Sequence, residues 1–189
     1  MNKLILASGS PRRYSLLSGY GFDVTVIKPG FDESTVTESD PSALVLALAR
    51  GKAASVNAPK DTLLLAADTV VAIDGQVLGK PEDSLEAFEM LDRLSGRTHS
   101  VYTGVCIRKN ESTELFYAKS DVTFYNLSKT QIEKYISTGS PLDKAGGYGI
   151  QDDMGIAFVR SVDGEISNVI GLPIEQVLIH IRKIEGEDQ

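Results

Sequence analysis

The sequence predicts an α/β fold with strands of mixed direction. Three observations predict it. Strand and helix signals alternate along the chain, a clean 3.6-residue apolar stripe closes it, and the composition is that of a globular protein. The elements follow in order. Residues 3–8 form a short apolar run, read as a strand. Ser10 then Pro11 gives an N-cap followed by proline at the first helical position. Leu16, Leu17 and Tyr20 supply that helix with an apolar face, and Gly21 stops it. Residues 22–27 read as a strand from their β-branched content, and residues 41–56 as a helix with Leu44, Val45 and Leu48 on one side. Residues 62–67 and 70–73 read as two strands, the second turned at Asp74-Gly75 into a short partner over 76–78. Residues 83–94 carry Leu85, Phe88, Leu91 and Leu94 at helical spacing. Two long strands follow, over about 99–108 and 113–125, then a helix opened by a Ser128/Gln131 capping box. Residues 156–162 and 166–170 look like a hairpin turned at Asp163-Gly164. Pro173 opens the last helix, whose stripe is Ile174, Val177, Leu178, Ile181 and Ile184.

The 189 residues suit one domain, and two lobes around a cleft are compatible with the pattern, although no linker marks a boundary. A chain of this size buries roughly 70% of its extended-chain surface. One cysteine, Cys106, excludes an intramolecular disulfide framework and a multi-thiolate zinc site. The net charge of −7 disfavours broad binding to nucleic acid or an anionic membrane, so any polyanion must meet locally gathered positive charge. No targeting segment is visible, since the four apolar residues Leu4 to Ala7 fall short of the about 7–15 of a secretory core. The expected location is the cytoplasm. With two histidines and one cysteine, any metal must be held by oxygen, which points to Mg²⁺ or Mn²⁺.

Several familiar motifs are absent. Gly75 to Lys80 has one residue too few for a phosphate-binding Walker loop, and Pro81 stands where a metal-binding hydroxyl belongs. Neither His99 nor His180 has a credible triad around it. His180 is expected at the surface, and His99 in a structural hydrogen bond.

The strongest positive signal is Ala7-Ser8-Gly9-Ser10-Pro11-Arg12-Arg13, which joins a strand end to a helix start through small residues. A helix N-terminus already carries about half a positive charge, and each arginine placed there costs roughly 0.3–1 kcal/mol. An anion bound at that end explains the placement, with free N–H groups, hydroxyls and guanidiniums converging on it. The alternative is a pair of arginines turned out to surface carboxylates. Asp68 follows an apolar run, a position where a rigid strand aims a catalytic acid but where turn-formers also sit. Lys52, Lys80 and Glu33, taken on composition alone, read as solvated surface residues. The stretch 139–151 holds five residues that are Gly or Pro, which means tight turns or a close backbone approach to a ligand.

Leu6 to Arg13, Ala67-Asp68-Thr69-Val70-Val71, Gly79-Lys80-Pro81, Ser95-Gly96-Arg97-Thr98-His99, Asp143 to Gln151 and Gly171-Leu172-Pro173 resemble the signature blocks of the Maf family, in order and over nearly the whole chain. The resemblance implies a single domain over 1–189 with a mixed twisted sheet flanked by helices and a substrate cleft, related to the inosine triphosphate pyrophosphatases. It implies a metal-dependent nucleoside triphosphate pyrophosphatase that cuts between the α and β phosphates, cytoplasmic and homodimeric. It also carries a link to inhibition of septum formation, so a nucleotide-binding regulator of division with incidental hydrolysis is the alternative function. By position it makes Asp68 the general base and Arg12, Thr69 and Gln151 the specificity residues, in the combination of the dTTP/UTP subfamily. Ser8, Arg13, Glu33, Lys52 and Lys80 match further polar positions of the pocket. The chemistry of these residues assigns phosphate binding to Ser8, Ser10, Arg12, Arg13, Lys52 and Lys80, and a divalent metal to Glu33 and Asp68.

Overall fold

The computed structural model describes residues 3–186. In chain order the elements are β1 (Lys3–Leu6), α1 (Pro11–Gly19), β2 (Asp23–Val26), α2 (Pro41–Ala54), β3 (Leu63–Ile73), β4 (Gln76–Leu78), α3 (Ser84–Leu94), β5 (Thr98–Lys109), β6 (Ser112–Phe124), α4 (Lys129–Ile136), β7 (Val159–Asp163), α5 (Ile166–Ile170) and α6 (Ile174–Glu185). The strands hydrogen-bond in the order β2-β1-β3-β5-β6-β7, with β4 also paired to β3. Parallel pairs (β1 with β2 and β3) stand beside antiparallel ones (β3 with β4, β6 with β7), so the mixed α/β class is borne out. Among the described residues no helix is long and apolar enough to cross a membrane.

The chain divides into two compact units. Within the described residues the first takes 3–69, 103–118 and 171–186, and the second takes 70–102 and 119–170. In the first, Leu4 and Leu6 of β1 lie opposite Leu63 and Leu65 of β3, and all four are buried. They pack with Leu17 of α1, Val105 and Ile107 of β5, and Val177 and Ile181 of α6. Ile5 and Leu64, with the alternate facing of strand residues, point to a second cluster with Ala49 and Ala53 of α2. Each fully buried leucine or isoleucine contributes about 1.5–3 kcal/mol. Asp40 starts α2 by accepting the Ala43 amide at 2.9 Å.

The second unit has its own core, made of Leu91 and Leu94 of α3, Val122 and Phe124 of β6, Ile132 and Tyr135 of α4, and Tyr148 and Phe158. Asp83 caps α3 through the amides of Leu85 and Glu86, and the capping box of Ser128 and Gln131 starts α4 as expected. His99 is buried, and its Nε2 meets the Tyr148 hydroxyl at 2.7 Å, the structural hydrogen bond expected of it.

Four local expectations need correction. Residues 63–73 form one strand rather than two, because Asp68 and Thr69 find side-chain partners and need not turn the chain. Ile166–Ile170 is a short helix and not the second arm of a hairpin. Its Asn168 is buried, and the amide donates to Val101 O (3.1 Å) and Ser120 Oγ (3.0 Å), so tertiary bonds override the β-propensity of the isoleucines. Leu85 is exposed, and Ala87 and Met90 fill the core side of α3 instead. His180 is also less exposed than expected, stacking on Phe116 and bonding Glu114 Oε2 at 2.6 Å.

Candidate active site

The site grows from the turn between β1 and α1. Ser10 occupies the N-cap with extended backbone (φ −79°, ψ 115°) and Pro11 follows inside the helix, but the Ser10 hydroxyl makes no capping bond. The first turn of α1 holds no acid. Ser8 is buried, and its Oγ accepts from the Ser10 amide at 3.2 Å and from Arg13 NH1 at 3.1 Å.

Arg13 does not reach out to surface carboxylates. Its side chain lies in the first unit, only 8% exposed, and its partners are uncharged. Nε donates to Gly171 O at 2.8 Å and NH2 donates to Thr69 Oγ1 at 2.9 Å. Thr69 Oγ1 in turn lies 2.9 Å from Thr103 Oγ1 and 3.3 Å from Gly171 O. Burial lowers the guanidinium pKa from its ordinary value; the Asp68 charge opposes this, Arg12 adds to it, and Glu33 opposes it again. The group remains charged at neutral pH. Arg12, one position earlier, is half-buried.

The second cluster joins α2, β3 and the segment before α2. Lys52, in the last turn of α2, sends its ammonium to Asp68 Oδ1 on β3 and to Glu33 Oε1 at 3.0 Å. The lysine and Asp68 side chains are 10% and 13% exposed, while Glu33 is 56% exposed. Glu33 opens a 3-10 turn, Glu33–Thr35, capped by Asp32 through the Ser34 amide. Gly51 makes this approach possible, because a Cβ there would stand 2.3 Å from the Phe31 ring. With glycine at 51, Phe31 lies against α2 and carries Glu33 to Lys52.

A divalent cation fits the residues present. The Lys52 ammonium stands as a positive charge between two carboxylates, so Glu33 and Asp68 converge on one cation. No group of three His, Cys, Asp or Glu side chains is gathered for a metal among the described residues. Mg²⁺ is commonly held by one or two carboxylates, with waters and substrate phosphates completing its shell, and two carboxylates, Glu33 and Asp68, are present here.

Of the residues singled out from sequence, the first unit thus brings Ser8, Ser10, Arg13 and Thr69 into one hydrogen-bonded group, and Glu33, Lys52 and Asp68 into another. Lys80 and Gln151 belong to the second unit, and both are exposed. Sequence reasoning missed Thr103 and the Gly171 carbonyl as partners of this group. Gly171 stood in a signature block; Thr103, one β-former among many in β5, carried no signal.

The fold and these clusters define an α/β protein with an arginine-bearing helix start and a strand-borne carboxylate. Two solved structures share the fold. The Ham1 protein of Staphylococcus aureus matches with a TM-score of 0.52 and 11% identity, covering 99% of this chain and 100% of that one. A HAM1 protein of Coxiella burnetii matches with a TM-score of 0.50 and 14% identity, at the same coverages. The chain belongs to the Maf family, whose model, described as Maf-like protein, matches residues 3–184. Among curated relatives, the dTTP/UTP pyrophosphatase of Bacillus cytotoxicus is 44% identical over 187 residues, covering 98% of this chain and 97% of that one. The dTTP/UTP pyrophosphatase of Agathobacter rectalis is 43% identical over 203 residues, covering 97% and 98%.

Proposed function

We propose that this chain, as one Maf-like domain over 1–189, hydrolyses dTTP and UTP to the nucleoside monophosphate and pyrophosphate, removing these nucleotides from the pool. One observation carries the reading: relatives named dTTP/UTP pyrophosphatase match almost the whole chain at 43–44% identity. The geometry supplies a mechanism. Asp68 is the general base. Lys52 occupies its Oδ1, which leaves Oδ2 to take a proton from the attacking water. The water oxygen bonds to the α-phosphorus, the α–β P–O bond breaks, and pyrophosphate leaves with the electron pair. Such a transition state is stabilised mainly by positioning and charge. Arg12, Arg13, Lys52 and Lys80, with the hydroxyls of Ser8 and Ser10, serve the phosphates, and Arg12, Thr69 and Gln151 select the nucleotide. Mg²⁺ or Mn²⁺ held by Glu33 and Asp68 would neutralise phosphate charge.

The net charge of −7 supports a free nucleotide rather than a nucleic acid as ligand. The family resemblance supports a cytoplasmic homodimer, which light scattering of the purified protein checks. The decisive test is a nucleotide panel scored by product identity, with and without chelator. Monophosphate and pyrophosphate from dTTP and UTP, lost in chelator, are expected. Orthophosphate and a diphosphate would overturn the reading.

A further inference from the structure

Within the second unit, the Gly-rich stretch 139–151 is held by a buried polar cluster to which no role has been given. Tyr135 of α4 is 1% exposed, and its ring packs edge-on to Phe158 with centroids 5.2 Å apart. The phenol therefore has one polar outlet. Its hydroxyl donates to Asp152 Oδ2 at 2.6 Å and accepts the Gly149 amide at 3.1 Å. Burial, and then the bond to Asp152, raise the Tyr135 pKa, so the group is a permanent donor at any working pH. Asp152 Oδ2 also accepts from Ser140 Oγ at 2.7 Å and lies 3.5 Å from Lys144 Nζ. The Lys144 ammonium is itself buried and donates to Ser140 O (2.7 Å), Ser140 Oγ (2.9 Å) and Asp143 Oδ1 (2.5 Å).

These bonds bracket two residues. Gly149 and Asp152 are joined to each other by an amide-to-carbonyl bond of 3.1 Å, and both are joined to the Tyr135 hydroxyl. Between them Ile150 is buried, while Gln151 is exposed. Glycine at 149 lets the Lys144 chain lie against the backbone, since a Cβ there would stand 2.7 Å from Lys144 Cε. Burying the Lys144 ammonium beside half-buried Asp152 is a poor way to gain stability, since apolar residues of similar size often serve as well or better. What the cluster does provide is one conformation for a glycine-rich loop that would otherwise sample many.

We propose that Tyr135 is a positioning residue for nucleobase selection: through Gly149 and Asp152 it fixes the turn that presents the Gln151 amide. The proposal rests on the reading of Gln151 as a residue that meets the base. An amide held in one orientation offers a donor and an acceptor side by side, which matches the carbonyl and N–H edge shared by uracil and thymine.

The test is a double-mutant cycle on the full-length enzyme. kcat and KM are measured for UTP, dTTP and CTP with the wild type, Tyr135→Phe, Gln151→Ala and the double variant. Tyr135→Phe is expected to raise KM for UTP and dTTP about tenfold, since small misplacements of positioning groups cost up to about 10²-fold. kcat changes less, and the preference over CTP narrows. In the Gln151→Ala background the same change has no further effect. Equal losses in both backgrounds, with the UTP-to-CTP ratio unmoved, would overturn the proposal while leaving Gln151 as a base reader. A Gln151→Ala variant with wild-type KM and selectivity would overturn the base reading itself, and the proposal with it. Ser140→Ala, which removes another Asp152 donor without touching the α4 core, should shift selectivity in the same direction and by less. If Tyr135→Phe does not fold, a Ser140→Ala enzyme of unaltered selectivity overturns the proposal.

Discussion

Two buried lysines invite comparison. Lys52 in the first unit and Lys144 in the second are each less than a tenth exposed, and each lies between two carboxylates. Their partners differ in origin. Glu33 and Asp68 stand 19 and 16 residues from Lys52, whereas Asp143, Ser140 and Asp152 lie within eight residues of Lys144. Their saturation differs too. All three Lys144 donors are engaged, two by Ser140 and one by Asp143. Lys52 meets two carboxylate oxygens, leaving a donor and the second oxygens of Glu33 and Asp68 outside those pairs. A saturated cluster holds shape; an open one is available to a substrate.

The largest expected effect tests the open side. Asp68→Asn keeps size and hydrogen-bonding reach but cannot take a proton near neutral pH. Its kcat should fall about 10²–10⁴-fold with nucleotide binding largely kept, as steady-state kinetics and calorimetric titration will read. A wild-type kcat would remove Asp68 from the base's role.

The two lysines can then be set against each other. Lys144→Met removes three hydrogen bonds and the cation 3.5 Å from half-buried Asp152, at about 0.5–1.5 kcal/mol for a typical bond. Lys52→Met likewise leaves Asp68, whose side chain is 13% exposed, without its cation, so both melting temperatures should drop. Lys52→Met should lose more turnover than Lys144→Met at a temperature where both are folded. The inverted order in turnover would break the distinction between the clusters.

A pH titration sharpens the closed side. Burial lowers the His99 pKa from 6.5 to about 4, with the Asp121 charge opposing. The unfolded chain takes up this proton first as pH falls. Stability attributable to His99 is therefore fully present above about pH 6.5 and lost as pH falls from there towards 4. The loss amounts to about 3 kcal/mol. Denaturant melts of His99→Gln should show a flatter slope across that window.

The smallest effect concerns Arg13. Charge beside a helix start argues from sequence that its removal relieves the empty protein. The three hydrogen bonds found here reverse that expectation. Arg13→Ala should destabilise by about 1–3 kcal/mol, because Ser8, Thr69 and the Gly171 carbonyl lose a charged donor. A raised melting temperature would show that those bonds contribute little.

Local patterns made most elements legible. The Asp74-Gly75 turn, the Ser128 capping box and the α6 stripe are short-range signals with direct physical causes, and each appears where expected. What failed depended on partners far along the chain. Asp68 and Thr69 read as an interruption of β3 because nothing local shows that Lys52 and Arg13 satisfy them. Isoleucines at 166 and 170 spelled a strand because Asn168's bonds to Val101 and Ser120 cross 48 to 67 residues. In the site, charge against a helix dipole singled out Arg13 but not Thr103 or the Gly171 carbonyl, and the Tyr135 hydroxyl finds its partners 14 and 17 residues away, beyond the reach of a local pattern.

The bond from Arg13 to the Gly171 carbonyl spans 158 residues. During synthesis at about 5–20 residues per second, roughly 8 to 30 s separate the addition of those two residues. Until then the guanidinium lacks its carbonyl, and the first strand and helix await their closing partner. A nascent or truncated chain that stops short of Gly171 leaves Arg13 Nε without this acceptor until the last stretch is added.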